Sequence, residues 1–142
     1  MLDTSPLTAA VERFADRLRA MPQSRLQQGA AAEALRLARE LSARAQRLEE
    51  PHRAAPVREI PDAGVFAVGD QVAVAGADLA EALRAADAEA GAGAGAEAGA
   101  AGAGAAAAGP GAGDARATAT APSGILDEAV RLVEQAEVRA TR

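Results

Sequence analysis

The sequence predicts an all-α protein, with a three-helix body joined by a disordered Ala/Gly tether to a C-terminal amphipathic helix. The body consists of an antiparallel helical hairpin and an N-terminal helix. Apolar residues recur at steps of three and four in four segments, the spacing that lines one face of a helix. Prolines separate the first three segments, and Gly and Ala dominate the stretch before the fourth. The predicted units are a helical body (1–88), a low-complexity linker (89–122) and a docking helix (123–142).

The first predicted helix begins at Ser5-Pro6, an N-cap residue followed by a proline whose missing N–H does no harm at the first helical position. Pro22 ends the helix. Its apolar residues form a coiled-coil-like seam about two heptads long: Leu7, Val11, Phe14, Leu18 and Met21. Two heptads are too few for an autonomous coiled coil, so we expect this helix to pack on the rest of the fold.

The second predicted helix covers about residues 24–50, and an Arg-Leu pair recurs in it every eleven residues. Eleven residues make three helical turns, so a leucine ridge (Leu26, Leu37, Leu48) lies beside an arginine ridge (Arg25, Arg36, Arg47). Acidic residues at helix-supporting separations predict the ion pairs Glu33 with Arg36, Arg36 with Glu40, and Glu40 with Arg44. Gly29 is the weak point, where a kink or a break is expected.

The arginine ridge is interpreted as a solvated helix face. Successive arginines lie ~16 Å apart by the helical rise, and glutamates lie among them, so the ridge is not the dense basic patch that binds nucleic acid. The proline-punctuated connector 51–61 is expected to let the second and third helices run antiparallel. Its His52 has neither a second His nor a Cys near it and is interpreted as a solvated side chain rather than a metal ligand.

Residues 61–88 hold the bulkiest apolar residues with the fewest charges and are predicted to be the core helix, capped by Asp62. The alternative is a hairpin of two short strands turning at Gly69-Asp70. Helix is favoured because the three-four spacing continues through residues 78–86, whose composition has no strand propensity. Asp70 is expected to point to solvent.

A second stripe in this helix consists of small residues at the same spacing: Gly69, Ala73, Gly76 and Ala80. Each glycine costs about 1 kcal/mol relative to alanine in a helix interior. That cost is offset if another helix packs unusually close along the stripe, which makes it a possible helix-packing interface. The alternative is compositional drift without a packing role.

The linker 89–122 is predicted to be disordered, because glycine loses much entropy on ordering and alanine buries little surface. It has no phosphate-loop signature. Ser123 is predicted to cap the last helix, which is amphipathic and too short to be stable alone. Its possible partner-docking face includes Ile125, Leu126, Ala129, Leu132 and Val133. That face is expected to bind the body, a twin subunit or another protein.

Composition argues against several classes of protein. The chain lacks Cys, Lys, Tyr and Trp and has one His, and no carboxylates or serine sit in a catalytic motif, so we expect no enzyme, no cofactor and no metal site. No small-molecule substrate is indicated either. The chain has no apolar run long enough to span a bilayer, and it does not begin like a secretion signal. A cytoplasmic setting is expected.

The stretch DAGVFAVGDQVAVAGADLAEAL at residues 62–83 follows an Arg/Leu helix and precedes an Ala/Gly tail. In this it resembles short, uncharacterised helical proteins of high-GC actinobacteria, over about the first 90 residues. The resemblance implies a cytoplasmic bacterial setting and brings no activity with it.

Two functional hypotheses follow. The first is a small non-enzymatic interaction or regulatory protein, acting through contacts with another protein or a twin subunit. The alternative is a structural adaptor that dimerises through the Gly69/Gly76 face and presents the arginine ridge to an acidic partner or nucleic acid.

Overall fold

A computed structural model describes residues 1–52, 54–100 and 121–142. The described residues form helices and no strand, which confirms the all-α fold. We number the helices in chain order: α1 (Ser5–Ala20), α2 (Gln23–Arg25), α3 (Ala31–Glu49), α4 (Val68–Ala100) and α5 (Pro122–Thr141). The segment Leu26–Ala30 joins α2 to α3.

The predicted break at Gly29 is confirmed. Gly29 has φ +144° and ψ −21°, a backbone conformation that interrupts the helix and that residues with a Cβ rarely adopt. The long second helix of the sequence prediction is therefore a short turn, α2, followed by α3. Two of the predicted ion pairs also form, Glu33 with Arg36 at 3.1 Å and Glu40 with Arg44 at 3.0 Å.

The predicted N-caps Ser5 and Ser123 are both wrong by one or two positions. Ser5 is already the first residue of α1, and its backbone N–H donates to the Asp3 carboxylate at 3.0 Å. In α5, Ala121 precedes the helix and Pro122 is its first residue. Proline is preorganised for that position, so the helix begins before the serine.

The connector between α3 and α4 runs back along α3. The Gln46 amide, near the end of α3, exchanges two hydrogen bonds of 2.9 Å with the Arg58 backbone. Arg39, two turns earlier, donates to the Ile60 carbonyl at 2.9 Å. As the chain advances from Arg58 to Ile60, it therefore moves toward the beginning of α3.

Because the connector runs back along α3, α4 has the opposite direction to the one predicted. Val68, at the start of α4, borders the same groove as Leu35 in the first half of α3. Asp78, further along α4, borders a cleft with Ala45 and Gln46 in the second half. The two helices thus run parallel rather than as an antiparallel hairpin. An α3 of 19 residues is about 28 Å long, a distance that the extended connector can span.

The core helix begins later than predicted. Asp62 does not cap it: its carboxylate accepts from the Gly64 N–H at 3.0 Å, and Gly64 has φ +95°. This turn places Val65 and Phe66 ahead of the helix, which starts at Val68. From there onward the helix prediction is confirmed and the hairpin alternative is wrong.

At its other end α4 continues to Ala100, into the segment predicted as disordered. Alanine favours the helix, and propagation from an established helix adds one hydrogen bond per residue without a new nucleation step. The remainder of the predicted tether, 101–120, lies outside the described residues.

The core is built from the predicted apolar faces and is rich in alanine. The part of the predicted seam that lies in α1 is buried, with Leu7 and Phe14 fully inaccessible. Leu79 and Leu83 of α4 are equally buried, as is Leu41 of α3. Helix α4 packs against both α1 and α3, and α5 packs against α1, α3 and α4.

Candidate functional site

The small-residue stripe of α4 faces α1 of the same chain. A Cβ added at Gly76 would stand 2.6 Å from Val11 Cγ1, closer than real Cβ atoms approach. A Cβ at Gly69 would stand 3.1 Å from Arg19 Cγ and 3.3 Å from the Ala15 carbonyl oxygen. The absence of side chains at both positions therefore sets how near α1 approaches.

The two alanines of the stripe differ in burial. Ala80 is buried, whereas Ala73 is partly accessible. Arg84, one turn beyond Ala80, donates to the buried Thr4 hydroxyl at 2.8 Å. Because α1 already covers the buried part of the stripe, a second subunit could use this face only after α1 had moved away.

The predicted docking face of α5 also faces the body of the same chain. Leu126, Ala129 and Val133 are buried, and Ile125 and Leu132 are partly buried against the core. Ala136 and Ala140, which the predicted face does not include, are buried on the same side of the helix. Ala136 lies seven residues after Ala129, and Ala140 lies seven residues after Val133. This helical spacing is the sequence signal that places both alanines on the buried face.

Arginines of the body surround α5. Arg13 and Arg17 of α1 both approach the Glu137 carboxylate, at 3.4 and 3.7 Å. Arg44 of α3 contacts Glu128 at 3.0 Å. These contacts place an acidic helix against a basic rim and fix its position along the groove.

The arginine ridge predicted on the second helix is exposed, but its members have partners in the chain. Arg25 donates to the Thr141 carbonyl at the end of α5, where a helix terminus is partly negative. Arg36 pairs with Glu33 at 3.1 Å, and Arg47 lies 3.8 Å from Glu40. The ridge therefore contributes to folding contacts rather than forming a basic patch.

An exposed aromatic side chain is the main feature that sequence reasoning missed. Phe66 is 72% exposed, although it belongs to the stretch predicted as the core. It lines a cleft together with Met21, Leu26 and Val65; we call these four residues the Phe66 surface. Leu26 and Val65 also line an adjoining open groove of about 690 Å³.

Asp70 is exposed, as predicted, and pairs with another element. Arg19 donates to its carboxylate at 2.7 Å, across the contact between α1 and α4. The hydrogen bond that Arg19 donates to Asp70 is the main reason that the pKa of Arg19 is raised. Both side chains are about half exposed or more, so the pair orients the helices without contributing much stability.

No group of His, Asp or Glu among the described residues has an arrangement that could hold a metal ion, and His52 is exposed. No helix in the part of the chain that the structure describes has the length and apolar character to cross a bilayer.

Fold and surfaces define an all-α protein with two features that bear on contacts, the Phe66 surface and the groove that holds α5. Comparison with protein-family models, curated proteins and solved structures gave no match to this chain.

Proposed function

We propose that the protein is a small, non-enzymatic helical interaction protein that acts in the cytoplasm through contacts with another protein. The observation that carries this proposal is the exposure of Phe66 at 72%. The absence of Cys from the sequence fits a reducing compartment.

The chain has two aromatic residues, and its apolar content is mostly alanine, so large side chains are scarce. Phe14 is completely buried. Burying a second phenylalanine would stabilise the fold by roughly 1.5–3 kcal/mol, yet Phe66 lies outside the core.

The neighbours of Phe66 make the position more than an isolated exposed residue. Met21 and Val65 are partly buried, and Leu26, which is buried, lines both this cleft and the larger groove. An aromatic side chain beside an apolar depression is the arrangement that dominates binding energy in protein interfaces. The groove rim carries both signs of charge, including Arg36, so it favours a protein partner over a uniformly charged ligand such as nucleic acid.

The test compares the full chain with two substituted chains in affinity purification. Phe66→Ala should remove a partner that the original chain retains. Val138→Ala, at a valine of α5 that is 51% exposed, is the matched control and should leave that partner bound. Both variants should keep the circular dichroism spectrum of the original chain. Identical partner lists for all three chains would remove Phe66 as the contact residue.

The adaptor hypothesis has no comparable observation in its favour. It requires Gly69 and Gly76 to be offered to a second subunit, and both lie against α1. It also requires free arginines on the ridge, whereas Arg25 and Arg36 contact groups of their own chain.

A further inference from the structure

The groove that holds α5 has a defined chemical character. It is formed by α1, α3 and part of α4, and we call it the α5 groove. Its rim carries Arg13 and Arg17 on one side and Arg44 on the other, each near a carboxylate of α5. The groove therefore selects an amphipathic helix that has small apolar residues on one face and carboxylates on its flanks.

Within the described part of the chain, helix α5 leaves one hydrogen-bond donor of this groove, on Arg44, without an acceptor. Arg44 is mostly buried, with 19% of its side chain exposed, and its Nη2 contacts Glu40 and Glu128 at 3.0 Å each. Its Nε, however, is buried and has no hydrogen-bond acceptor among the described residues. An unsatisfied buried donor is a defect that a better placed acceptor would remove.

The contact between α5 and the groove also leaves space unfilled beside Arg44. An open cavity of about 540 Å³ remains between the first turns of α5 and the end of α3. Ile125 of α5 lines it together with Leu48 and Pro51. Its charged border carries both signs, Arg44 and Arg47 with Glu40 and Glu128. The cavity is open beside Ile125, so a larger apolar side chain at this position has space to extend along Leu48 and Pro51.

The attachment of α5 is also modest. Three of its five most buried residues are alanines, each of which buries little apolar surface: Ala129, Ala136 and Ala140. The ion pairs of Arg13 and Arg17 join half-exposed arginines and are worth little individually. No side chain caps the beginning of α5.

We infer that the α5 groove is a binding site for an acidic amphipathic helix of a partner protein, which replaces α5. The partner helix places a bulky apolar residue in the cavity at the position of Ile125. It places one carboxylate between Arg13 and Arg17, as Glu137 does, and another within reach of Arg44 Nε. Helix α5 is then an intramolecular competitor that keeps the groove closed to weaker ligands.

The competition can be expressed quantitatively. A segment tethered in the same chain acts at an effective concentration on the order of millimolar. A partner helix present at micromolar concentration must therefore bind the open groove about a thousand times more tightly than α5 does. Filling the cavity and satisfying Arg44 are the two sources of additional affinity.

The test uses the full chain and synthetic peptides of residues 121–142, labelled for fluorescence anisotropy. The peptide with Ile125→Phe should bind at least five times more tightly than the peptide of original sequence. A peptide with Ile125→Phe and Glu137→Arg should bind at least ten times more weakly than the one with Ile125→Phe alone, because an arginine then faces Arg13 and Arg17. The chain is titrated to millimolar concentration, because the tethered α5 competes at that level. Equal binding by all three peptides, or no binding of the Ile125→Phe peptide in that range, would overturn the inference.

Two controls assign the binding to this groove. A full chain carrying Ile125→Phe in its own α5 should bind the labelled peptide more weakly than the original chain, because its internal competitor is improved. Unchanged binding would contradict replacement of α5. A chain with Phe66→Ala should bind the peptide as the original chain does, so this inference and the proposed function fail or survive separately.

A second copy of the chain is the competing occupant, since its own α5 has the same sequence. Light scattering of the unlabelled chain over a hundredfold range of concentration distinguishes the two. A constant monomeric mass supports the partner helix. A concentration-dependent dimer that the Ile125→Phe peptide dissociates would identify a twin subunit as the occupant and overturn the assignment to a partner.

Discussion

Val11 of α1 lies so close to Gly76 of α4 that a Cβ at position 76 would stand 2.6 Å from Val11 Cγ1 and 2.7 Å from Cγ2. Val11 is itself 2% exposed, so its methyl groups have no free space to move into. The contact therefore fixes the separation of two helices that together provide much of the core, and it makes the size of residue 76 a determinant of stability.

Gly76→Ala should destabilise the protein by roughly 1–3 kcal/mol, because α1 and α4 must separate to admit the methyl group. Alanine is the better helix former by about 1 kcal/mol, so the steric term must exceed that gain. Gly91→Ala is the matched control in the same helix, where an added Cβ meets nothing within 4 Å. It should be neutral or stabilising. Urea unfolding of both variants checks the prediction, which fails if the two substitutions have equal effects.

Gly29→Ala tests a different property of glycine. An added Cβ at Gly29 meets no atom within 4 Å, so there is no steric obstacle of the Gly76 kind. The backbone at φ +144° is nevertheless unfavourable for alanine, and we expect a loss of about 1–3 kcal/mol. Thermal unfolding should show a lower Tm. A stabilised variant would mean that the helix runs continuously through residue 29.

The sequence was sufficient to predict the helices and their buried faces, because a 3.6-residue period depends on local spacing alone. It did not predict the direction of α4. That direction depends on Gln46 and Arg39, whose side chains bind the connector and turn it back along α3. Such contacts join residues distant in the chain and leave no periodic pattern. Helix ends were misplaced for a related reason, since Asp3 and Asp62 bond to local backbone groups that compete with capping.

The candidate surfaces were likewise predictable from the sequence only in part. The residues of the small stripe and of the α5 face were found by spacing, and the structure places both groups against the body. Spacing could not decide which surface they would contact. The exposure of Phe66 depends on the turn at Gly64, which ends the helical phase before Val68. The unsatisfied Nε of Arg44 depends on the mutual position of three helices.

The carboxylate of Asp3 gives a pH-dependent contribution to stability. Hydrogen bonds from the Ser5 hydroxyl and then from the Ser5 backbone N–H hold the pKa of Asp3 below its ordinary value of 3.8. Because the folded-state pKa is lowered, this contribution is fully present above the unfolded-state pKa and is lost as the pH falls through the folded-state pKa.

Asp3→Ala should therefore lower stability at pH 7, and the difference from the original chain should shrink as the pH falls below 3.8. Urea unfolding across that range measures the difference. Asp3→Asn is the control, since its amide oxygen accepts a hydrogen bond without titrating. A difference between Asp3→Ala and the original chain that is independent of pH would contradict the assignment.

Val133 is the test of how α5 is attached to the body. It is completely buried, and Val133→Ala removes two methyl groups from the contact, with an expected loss of roughly 1–3 kcal/mol. Val138→Ala in the same helix is the control, because Val138 is 51% exposed and its substitution should change stability by less than about 0.5 kcal/mol. Chemical denaturation followed by circular dichroism compares them. Equal losses would mean that α5 does not pack through Val133.

Gln46 holds the connector that gives α4 its direction, and its removal should loosen that connector. The Gln46 amide donates to the Arg58 carbonyl and accepts from the Arg58 N–H, both at 2.9 Å. Gln46→Ala should destabilise the protein by about 1–2 kcal/mol. The loss is limited because water can form hydrogen bonds with the exposed Arg58 backbone in place of Gln46. Hydrogen exchange should also show faster exchange of the Arg58 amide. Ser42→Ala removes only the 3.1 Å bond between Ser42 and Gln46, so the Arg58 amide should remain protected. If the Arg58 amide is equally protected in both variants, Gln46 does not hold the connector.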